Sequence, residues 1–492
     1  MIKVSKMLFL LLTLSGYNLM AVQRFEMTLP IKDAFKDISS LKISSGLKKI
    51  ESIKHSDPEN AMAIYIENYA DFFTLFIQED KAKYKILLKN RELRLVKIRS
   101  ADPSSPYYLY CQAEISLQWA TIKLKFGEKI DAALDVYEAY GLLKKNKEKF
   151  PSFAENNKSL SVIHALSESV PGWLKKIMGI NGSVELGTKE ISMLANKAAH
   201  DQSIFMEEIV AIYSYILFYA NNKKEEAYHL YDKYKLDHKT NPLIAFLKAT
   251  MAQKTGRTEE AIRILQERPT SPEYMPFYYL DFMYGKFKLY RLDKDADKYI
   301  LKFLHNFKGQ HYIKEAWQKM AWYQIVVMNN HAGYKKNMQS CAAFGQTLID
   351  EDIQAAREAK AGQIPNDILL KSRLLFDGGY YTKAQNLLIL HGNKFVNAIH
   401  DGEYYYRLAR VSDALKNYSD AIEYYDLTIF KSDPGKYYAC SAALQAGLIW
   451  EQQNNFVKAR LYFENCLSLD PAGYTSSLHS KAKSGRNRLK DK

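Results

Sequence analysis

A segment near the C-terminus constrains the fold more than any other part of the chain. Small side chains, among them Gly447 and Ala459, alternate there with bulky aromatic ones at offsets that suit two crossing helices. Helix backbones can approach closely only where small side chains meet, and Trp450 and Phe463 would fill the space on either side. Pro471 then ends the second helix because proline has no N–H and clashes with the preceding turn. The segment therefore predicts a helical hairpin.

The same pattern recurs along the chain at nearly constant intervals. Ala384, Ala421 and Ala459 follow one another at almost equal spacing, and Ala227 and Ala261 repeat a similar interval upstream. An interval of about 35 residues is typical of helical-hairpin arrays. At 492 residues the chain exceeds one compact core, but an array adds core hairpin by hairpin. The sequence therefore predicts an all-α fold, a helical-hairpin repeat array.

The last hairpin resembles the tetratricopeptide (TPR) family. The residues on the signature positions of that family are Gly447, Trp450, Ala459, Phe463 and Pro471. The whole chain is similar to bacterial exported TPR proteins of unassigned role. This resemblance implies a TPR-like α-solenoid that binds a protein or peptide partner on its concave face, which the first helix of each hairpin builds. It also implies a candidate partner groove formed by Tyr406, Arg410, Asp413, Leu444, Leu448, Glu451 and Gln452.

The N-terminus predicts export. A basic head with Lys3 and Lys6 precedes an apolar run from Met7 to Leu14, and Ala21 offers a small residue for cleavage. This arrangement is typical of a secretory signal peptide. The run is shorter than the roughly 20 apolar residues that a membrane span requires, and an uncleaved interfacial anchor is the alternative. We expect a periplasmic or envelope-associated protein with its signal peptide cleaved near Ala21.

The pattern along the chain predicts five segments. They are a signal peptide (1–21), a polar entry segment (22–57), an N-terminal helical region with degenerate repeats (58–200), a TPR-like repeat array (201–471) and a C-terminal capping helix (472–492). In the last segment Tyr474, Leu478, Ala482 and Leu489 share one helical stripe. A terminal repeat has no neighbour, so a helix that is apolar inside and polar outside can cover it. A basic tail that binds anionic lipid or cell wall is the alternative.

Charge narrows the choice of partners. The formal net charge is +14, and basic residues are densest at 81–99 and 481–490. Nucleic acid is the usual partner of a basic chain, but no recognised nucleic-acid motif accompanies this charge. We expect a protein or peptide partner, no nucleic acid, and a peripheral contact with an anionic envelope surface.

The sequence contains no signature of catalysis, cofactor binding or metal binding. The 11 histidines are scattered, and neither His-Glu-x-x-His nor Cys-x-x-Cys occurs. Cys440 and Cys466 belong to one hairpin, where buried thiols are expected and a disulfide is the alternative. We predict a non-enzymatic scaffold or adaptor without a cofactor. The alternative is an envelope glycan-binding protein of SusD-like type, which the 36 tyrosines would suit.

Overall fold

The computed structural model describes residues 23–167, 179–395, 398, 401–433, 435–471 and 474–489. These residues form 24 α-helices and, apart from two isolated backbone bridges, contain no β-strand. The predicted all-α fold is therefore confirmed. No helix within these ranges is both long enough and apolar enough to cross a membrane. The segment for which a signal peptide is predicted lies outside the described residues.

The chain divides into two compact units, of which the first comprises residues up to Ala245 together with Arg268–Pro276. Consecutive helices of this unit pack pairwise as hairpins. A π-helical turn, Ile216–Ala220, continues its ninth helix. The helices are α1 (Leu29–Ser39), α2 (Ile43–Ser56), α3 (Ala61–Gln78), α4 (Lys81–Arg99), α5 (Tyr107–Lys125), α6 (Lys129–Lys149), α7 (Asn156–Leu166), α8 (Val184–His200), α9 (Met206–Tyr215) and α10 (Lys224–Lys233).

The second unit comprises Phe246–Glu267 and Phe277–Lys492. The division falls within α11 (Pro242–Lys254). The remaining helices are α12 (Thr258–Glu267), α13 (Tyr278–Tyr290), α14 (Ala296–Asn306), α15 (Ile313–Val326), α16 (His331–Ala343), α17 (Asp350–Ala361), α18 (Asp367–Asp377), α19 (Tyr381–Leu390), α20 (Asp401–Ala414), α21 (Tyr418–Lys431), α22 (Tyr438–Gln452), α23 (Phe456–Ser468) and α24 (Thr475–Arg488). Hairpins pair α13 with α14, α15 with α16, α18 with α19, α20 with α21 and α22 with α23, whereas α17 packs on both α15 and α16.

Close helix crossings hold these hairpins together. A methyl group on Gly447 of α22 would lie 2.7 Å from atoms of the Phe463 ring on α23. A methyl group on Gly285 of α13 would lie 2.8 Å from the carbonyl oxygen of Ala296 on α14. Both contacts are closer than real Cβ atoms allow, so glycine is required at each crossing. The predicted crossing at Gly447 is therefore confirmed, and Ala459 and Phe463 beside it are fully buried.

Within the predicted polar entry segment (22–57), α1 and α2 pack as a hairpin. Helix α1 buries Ile31, Ala34, Phe35 and Ile38, whose spacing places them on one side of a helix. Polar residues on the outer side of α1 and α2 give the segment its polar composition.

Helix α24 caps the array as predicted. Leu478, Ala482 and Leu489 are buried, and so is Gly485, where an added methyl group would lie 2.6 Å from the Phe463 ring. Tyr474, the fourth residue of the predicted stripe, is 44% exposed. It precedes the first turn of α24, with a positive φ of 64°, and therefore does not follow the helical periodicity.

The four cysteines are buried free thiols. The sulfur atoms of Cys440 and Cys466 lie 3.5 Å apart, so the structure has the thiol pair and not the disulfide alternative. The hydrogen bond with the Cys466 thiol, together with nearby His479, lowers the pKa of Cys440 against the opposing effect of burial.

We expect Gly447→Ala to lower the free energy of unfolding by about 1–3 kcal/mol, because the added methyl group displaces the Phe463 ring. The matched control is Gly141→Ala on α6, where no atom lies within 4 Å of the added methyl group. Alanine should stabilise that helix by up to about 1 kcal/mol. Thermal unfolding followed by circular dichroism compares the two variants. Equal losses of stability in both would contradict the close helix crossing at Gly447.

A second pair of variants tests whether α24 covers the last hairpin. Ala482→Asp places a carboxylate in the buried side of α24, whereas Ser484→Asp places the same group on its exposed side. We expect the first variant to lower the melting temperature and promote aggregation, because an unpaired charge would be buried. The second should unfold like the wild type. Identical melting curves for the two variants would show that α24 does not cover the last hairpin.

Candidate partner-binding groove

A groove of about 400 Å³ opens on the second unit. Side chains from α15, α17, α18 and α20, together with the start of α22, line it. Arg373 and Arg407 are one hairpin period apart and occupy corresponding positions on α18 and α20. The groove is therefore built mainly by the first helices of consecutive hairpins, as the TPR resemblance implies, with α17 added.

Tyrosines cluster at one end of the groove. The ring centroids of Tyr437 and Tyr438 are 4.5 Å apart, and Tyr437 lies 5.1 Å from Tyr474. Tyr406 supports this cluster from below, 5.2 Å from Tyr438. Burial raises the pKa of Tyr437 to about 12. The cluster therefore presents neutral hydroxyl groups at physiological pH and combines apolar area with hydrogen-bonding capacity.

Trp322 lies in the wall of the groove, and its indole N–H donates to the Glu358 carboxylate at 2.7 Å. The amide of Gln318 donates to the other oxygen of this carboxylate at 2.6 Å. The Lys319 ammonium and the Arg373 guanidinium lie 3.7 Å and 4.6 Å from the centroid of the indole ring. These contacts fix α17 against α15 and satisfy Glu358 within the protein.

The groove carries more positive than negative charge. Its lining contains Arg357, Arg373, Arg407 and Lys436 against the carboxylates of Glu358 and Glu403. Arg407 donates to Glu403 at 2.6 Å. Burial alone would raise the pKa of Glu403, but the Arg407 guanidinium lowers it below its ordinary value. Both carboxylates are thus occupied within the protein.

Two of the cations remain available to a ligand. Arg357 and Lys436 are exposed, and neither forms an ion pair within the part of the chain that the structure describes. Besides its contact with the Trp322 ring, Arg373 forms a single long ion pair within the described residues, at 3.8 Å from Asp377. The arrangement can therefore bind anionic groups at its edge and aromatic or apolar groups beside the tyrosines.

Two of the predicted groove residues require correction. Tyr406 and Leu444 are 2% and 1% exposed, so a partner cannot reach them in this conformation. The hydroxyl groups of Tyr406 and Ser441 are hydrogen-bonded at 3.0 Å, which joins α20 to α22. Leu444 belongs to the core around Phe463. Both side chains point into contacts between helices and not toward the concave surface.

Arg410 and Asp413 are half-buried and have partners within the protein. Arg410 donates to the Tyr406 hydroxyl at 3.1 Å, and its guanidinium lies 4.4 Å from the centroid of the Phe376 ring. Asp413 accepts a hydrogen bond of 3.3 Å from the Tyr425 hydroxyl. Neither residue lines the groove of about 400 Å³.

The last predicted residues lie along α22. Glu451 accepts two hydrogen bonds from Arg488, at 2.8 Å and 2.6 Å, and so fastens the capping helix. Leu448 is half-buried, and Gln452 is exposed, donating to the Tyr418 hydroxyl at 3.3 Å. Binding of a partner by these residues stays a prediction.

The sequence did not predict this groove, because residues 201–471 are predicted as one TPR-like repeat array and α17 belongs to no hairpin of that array. The structure places α17 against α15, so that its polar residues line a concave surface. One signal could have indicated the site. Arg373 and Arg407 are separated by the same interval as Ala227 and Ala261, which is the period of the hairpins themselves.

A larger groove, of about 1080 Å³, lies on the first unit. Lys49 in its wall is paired with Asp33 and Asp37 at 2.8 Å and 2.7 Å. Lys42 is paired with Glu273 at 3.2 Å. These two lysines are neutralised within the protein, whereas Lys32 and Lys36 in the same lining are exposed and form no ion pair within the described residues. The groove of the second unit differs because its free cations share the lining with three clustered tyrosines.

No protein-family model matches the chain, and no curated protein matches it. Among solved structures, it is similar to a chain of the Naa15/Naa10 complex bound to HypK-THB, with a TM-score of 0.27 and 15% sequence identity. The match covers 93% of this chain and 65% of that chain, so this protein spans less than two thirds of the length of its neighbour. A similarity this low assigns neither family nor function.

Lys319 provides a test of the groove wall. Burial lowers its pKa to about 8, against the opposing attraction of Glu315. Because the unfolded chain keeps this proton up to about pH 10.5, the free energy of unfolding should rise between about pH 8 and 10.5. We expect a gain of up to about 3 kcal/mol that is absent in Lys319→Met. The Trp322 fluorescence should change with a midpoint near pH 8 in the wild type and not in the Lys319→Met variant. A midpoint near pH 10 in the wild type would contradict the lowered pKa of Lys319.

Proposed function

We propose that this protein is a non-enzymatic helical-repeat scaffold that binds an acidic segment of a partner protein in the groove of the second unit. The observation that carries this proposal is the placement of Arg357 and Lys436, exposed cations without an ion-pair partner among the described residues, in one groove with Tyr438 and the 44% exposed Tyr474. Tyrosine and arginine are among the residue types that contribute most at protein interfaces. Unpaired cations at the rim favour an acidic partner and accelerate its association.

The contacts of the two groove carboxylates within the protein are also compatible with an acidic partner. Arg407 neutralises Glu403, and the hydrogen bonds from Trp322 and Gln318 hold the Glu358 carboxylate within the wall, so the positive charges of the lining outweigh the negative ones for an incoming acidic group. An acidic side chain can pair with Arg357 or Lys436, while a neighbouring apolar side chain contacts the tyrosines. The glycan-binding alternative requires a free aromatic platform, whereas Tyr437 and Tyr438 pack on one another.

The proposal includes the location of the protein. The basic head and the apolar run from Met7 to Leu14 support secretion, and we place the scaffold in the cell envelope on that basis. Its partner is therefore sought in intact cells, with the envelope and cytoplasmic fractions separated after cross-linking.

We expect a photo-cross-linking amino acid at Tyr438 to form adducts with a partner protein, because this side chain faces the groove. The same amino acid at Phe430 on α21, which is 85% exposed outside the groove, serves as the matched position. Arg357→Glu combined with Lys436→Glu should abolish the adduct at position 438, and higher salt should weaken it. Mass spectrometry of the adducts identifies the partner.

Lys336→Glu is the control for charge, because Lys336 is exposed on α16 and does not line the groove. It should leave the adduct at position 438 unchanged. Equal adducts at positions 438 and 430, or an adduct that persists after both groove charges are reversed, would contradict the site. Adducts confined to the cytoplasmic fraction would contradict the location.

A further inference from the structure

Helix α4 exposes apolar side chains on its outer side. Ile86, Leu93 and Val96 are spaced by seven and three residues and are 62%, 59% and 62% exposed. They lie opposite the buried residues Leu95 and Ile98, which face the core of the unit. In a helix of a folded protein such a stripe normally meets a neighbour, and here nothing in the described structure covers it.

Helix α6 has a second stripe of the same kind. Ile130, Leu134 and Tyr137 are spaced by four and three residues and are 79%, 61% and 50% exposed. Their side of the helix is opposite the buried residues Ala132 and Ala139. The first three turns of α6 are therefore apolar on the side that faces solvent.

Polar contacts join α4 to α6. Arg91 of α4 pairs with Asp135 of α6 at 2.8 Å. At the start of α4, the Tyr84 hydroxyl donates to Glu128, the residue that precedes α6, at 2.7 Å. The outward stripes of these two neighbouring helices are together called the α4–α6 face.

Lysines surround and interrupt this face. Helix α4 carries five exposed lysines that form no ion pair within the described residues, and Lys89 lies on the same side as Ile86 and Leu93. The only acidic residue of α4, Glu92, is paired with Arg91. On the outer side of α6, Asp131 is exposed beside the apolar stripe. The five lysines are Lys81, Lys83, Lys85, Lys89 and Lys97.

We infer that the α4–α6 face binds the surface of a lipid bilayer that contains anionic lipids. Apolar side chains on an exposed helix enter the boundary between headgroups and acyl chains, and lysines beside them attract anionic headgroups. The charge also argues against a second copy of the chain, which would bring the same lysines face to face. This inference is independent of the groove on the second unit.

Co-sedimentation of the full chain with vesicles tests the inference. We expect binding to vesicles of equal parts phosphatidylcholine and phosphatidylglycerol, and little binding to pure phosphatidylcholine. Replacing Lys85, Lys89 and Lys97 with Gln should weaken binding on the order of 100-fold, since each lysine contributes roughly fivefold. Replacing Leu93 and Ile130 with Gln should weaken it roughly tenfold or more.

The matched control removes exposed apolar side chains elsewhere. Val457→Gln combined with Leu461→Gln changes α23, where both residues are exposed, and should leave vesicle binding unchanged. A polarity-sensitive fluorescent amino acid at position 93 should shift to the blue on addition of anionic vesicles, and one at position 461 should not. Equal binding to both vesicle types, or undiminished binding by the lysine or apolar variants, would overturn the inference. Self-association without lipid that the Leu93 and Ile130 variant abolishes would assign the face to a second copy instead.

Discussion

The close approach of two helix backbones within a hairpin is the constraint on which the rest of the structure depends. At Gly447 and Gly285 the approach leaves no room for a side chain, so aromatic residues such as Phe463 can fill the adjacent space. Each hairpin then offers its neighbours a fixed apolar surface, and the array grows by repetition. The groove of the second unit follows from this geometry, because corresponding positions such as Arg373 and Arg407 recur on its inner helices.

Charged residues divide into those that hold the array together and those that remain free. Lys158 in the first unit is 1% exposed and pairs with Glu114 at 2.8 Å and Glu208 at 2.9 Å. Burial alone would lower the pKa of Lys158, but these carboxylates raise it well above its ordinary value. Such a residue is structural, since removal of one partner would leave a buried charge. Exposed Arg357 forms no ion pair within the part of the chain that the structure describes, which is why the proposed binding site includes it.

Sequence periodicity predicted the hairpins and the cap because both depend on local spacing. The burial of Leu478 and Ala482 follows directly from their interval of four residues. Periodicity could not predict the rotation of each helix against its neighbours, which is decided by packing between hairpins. For that reason Tyr406 and Leu444, chosen by family resemblance, turned out to be buried. The contribution of α17 to the groove likewise depends on tertiary contacts that no repeat pattern encodes.

Exposed apolar side chains occur on the second helices of hairpins in both units, so exposure alone does not single out a binding surface. Phe430 on α21 and Val457 on α23 are 85% and 82% exposed. The lysines close to these two residues are engaged, since Lys431 pairs with Asp401 at 3.0 Å and Lys458 lies over Trp450. On α4 five lysines have no ion-pair partner within the described residues. Free positive charge beside apolar area is therefore the property that distinguishes the α4–α6 face.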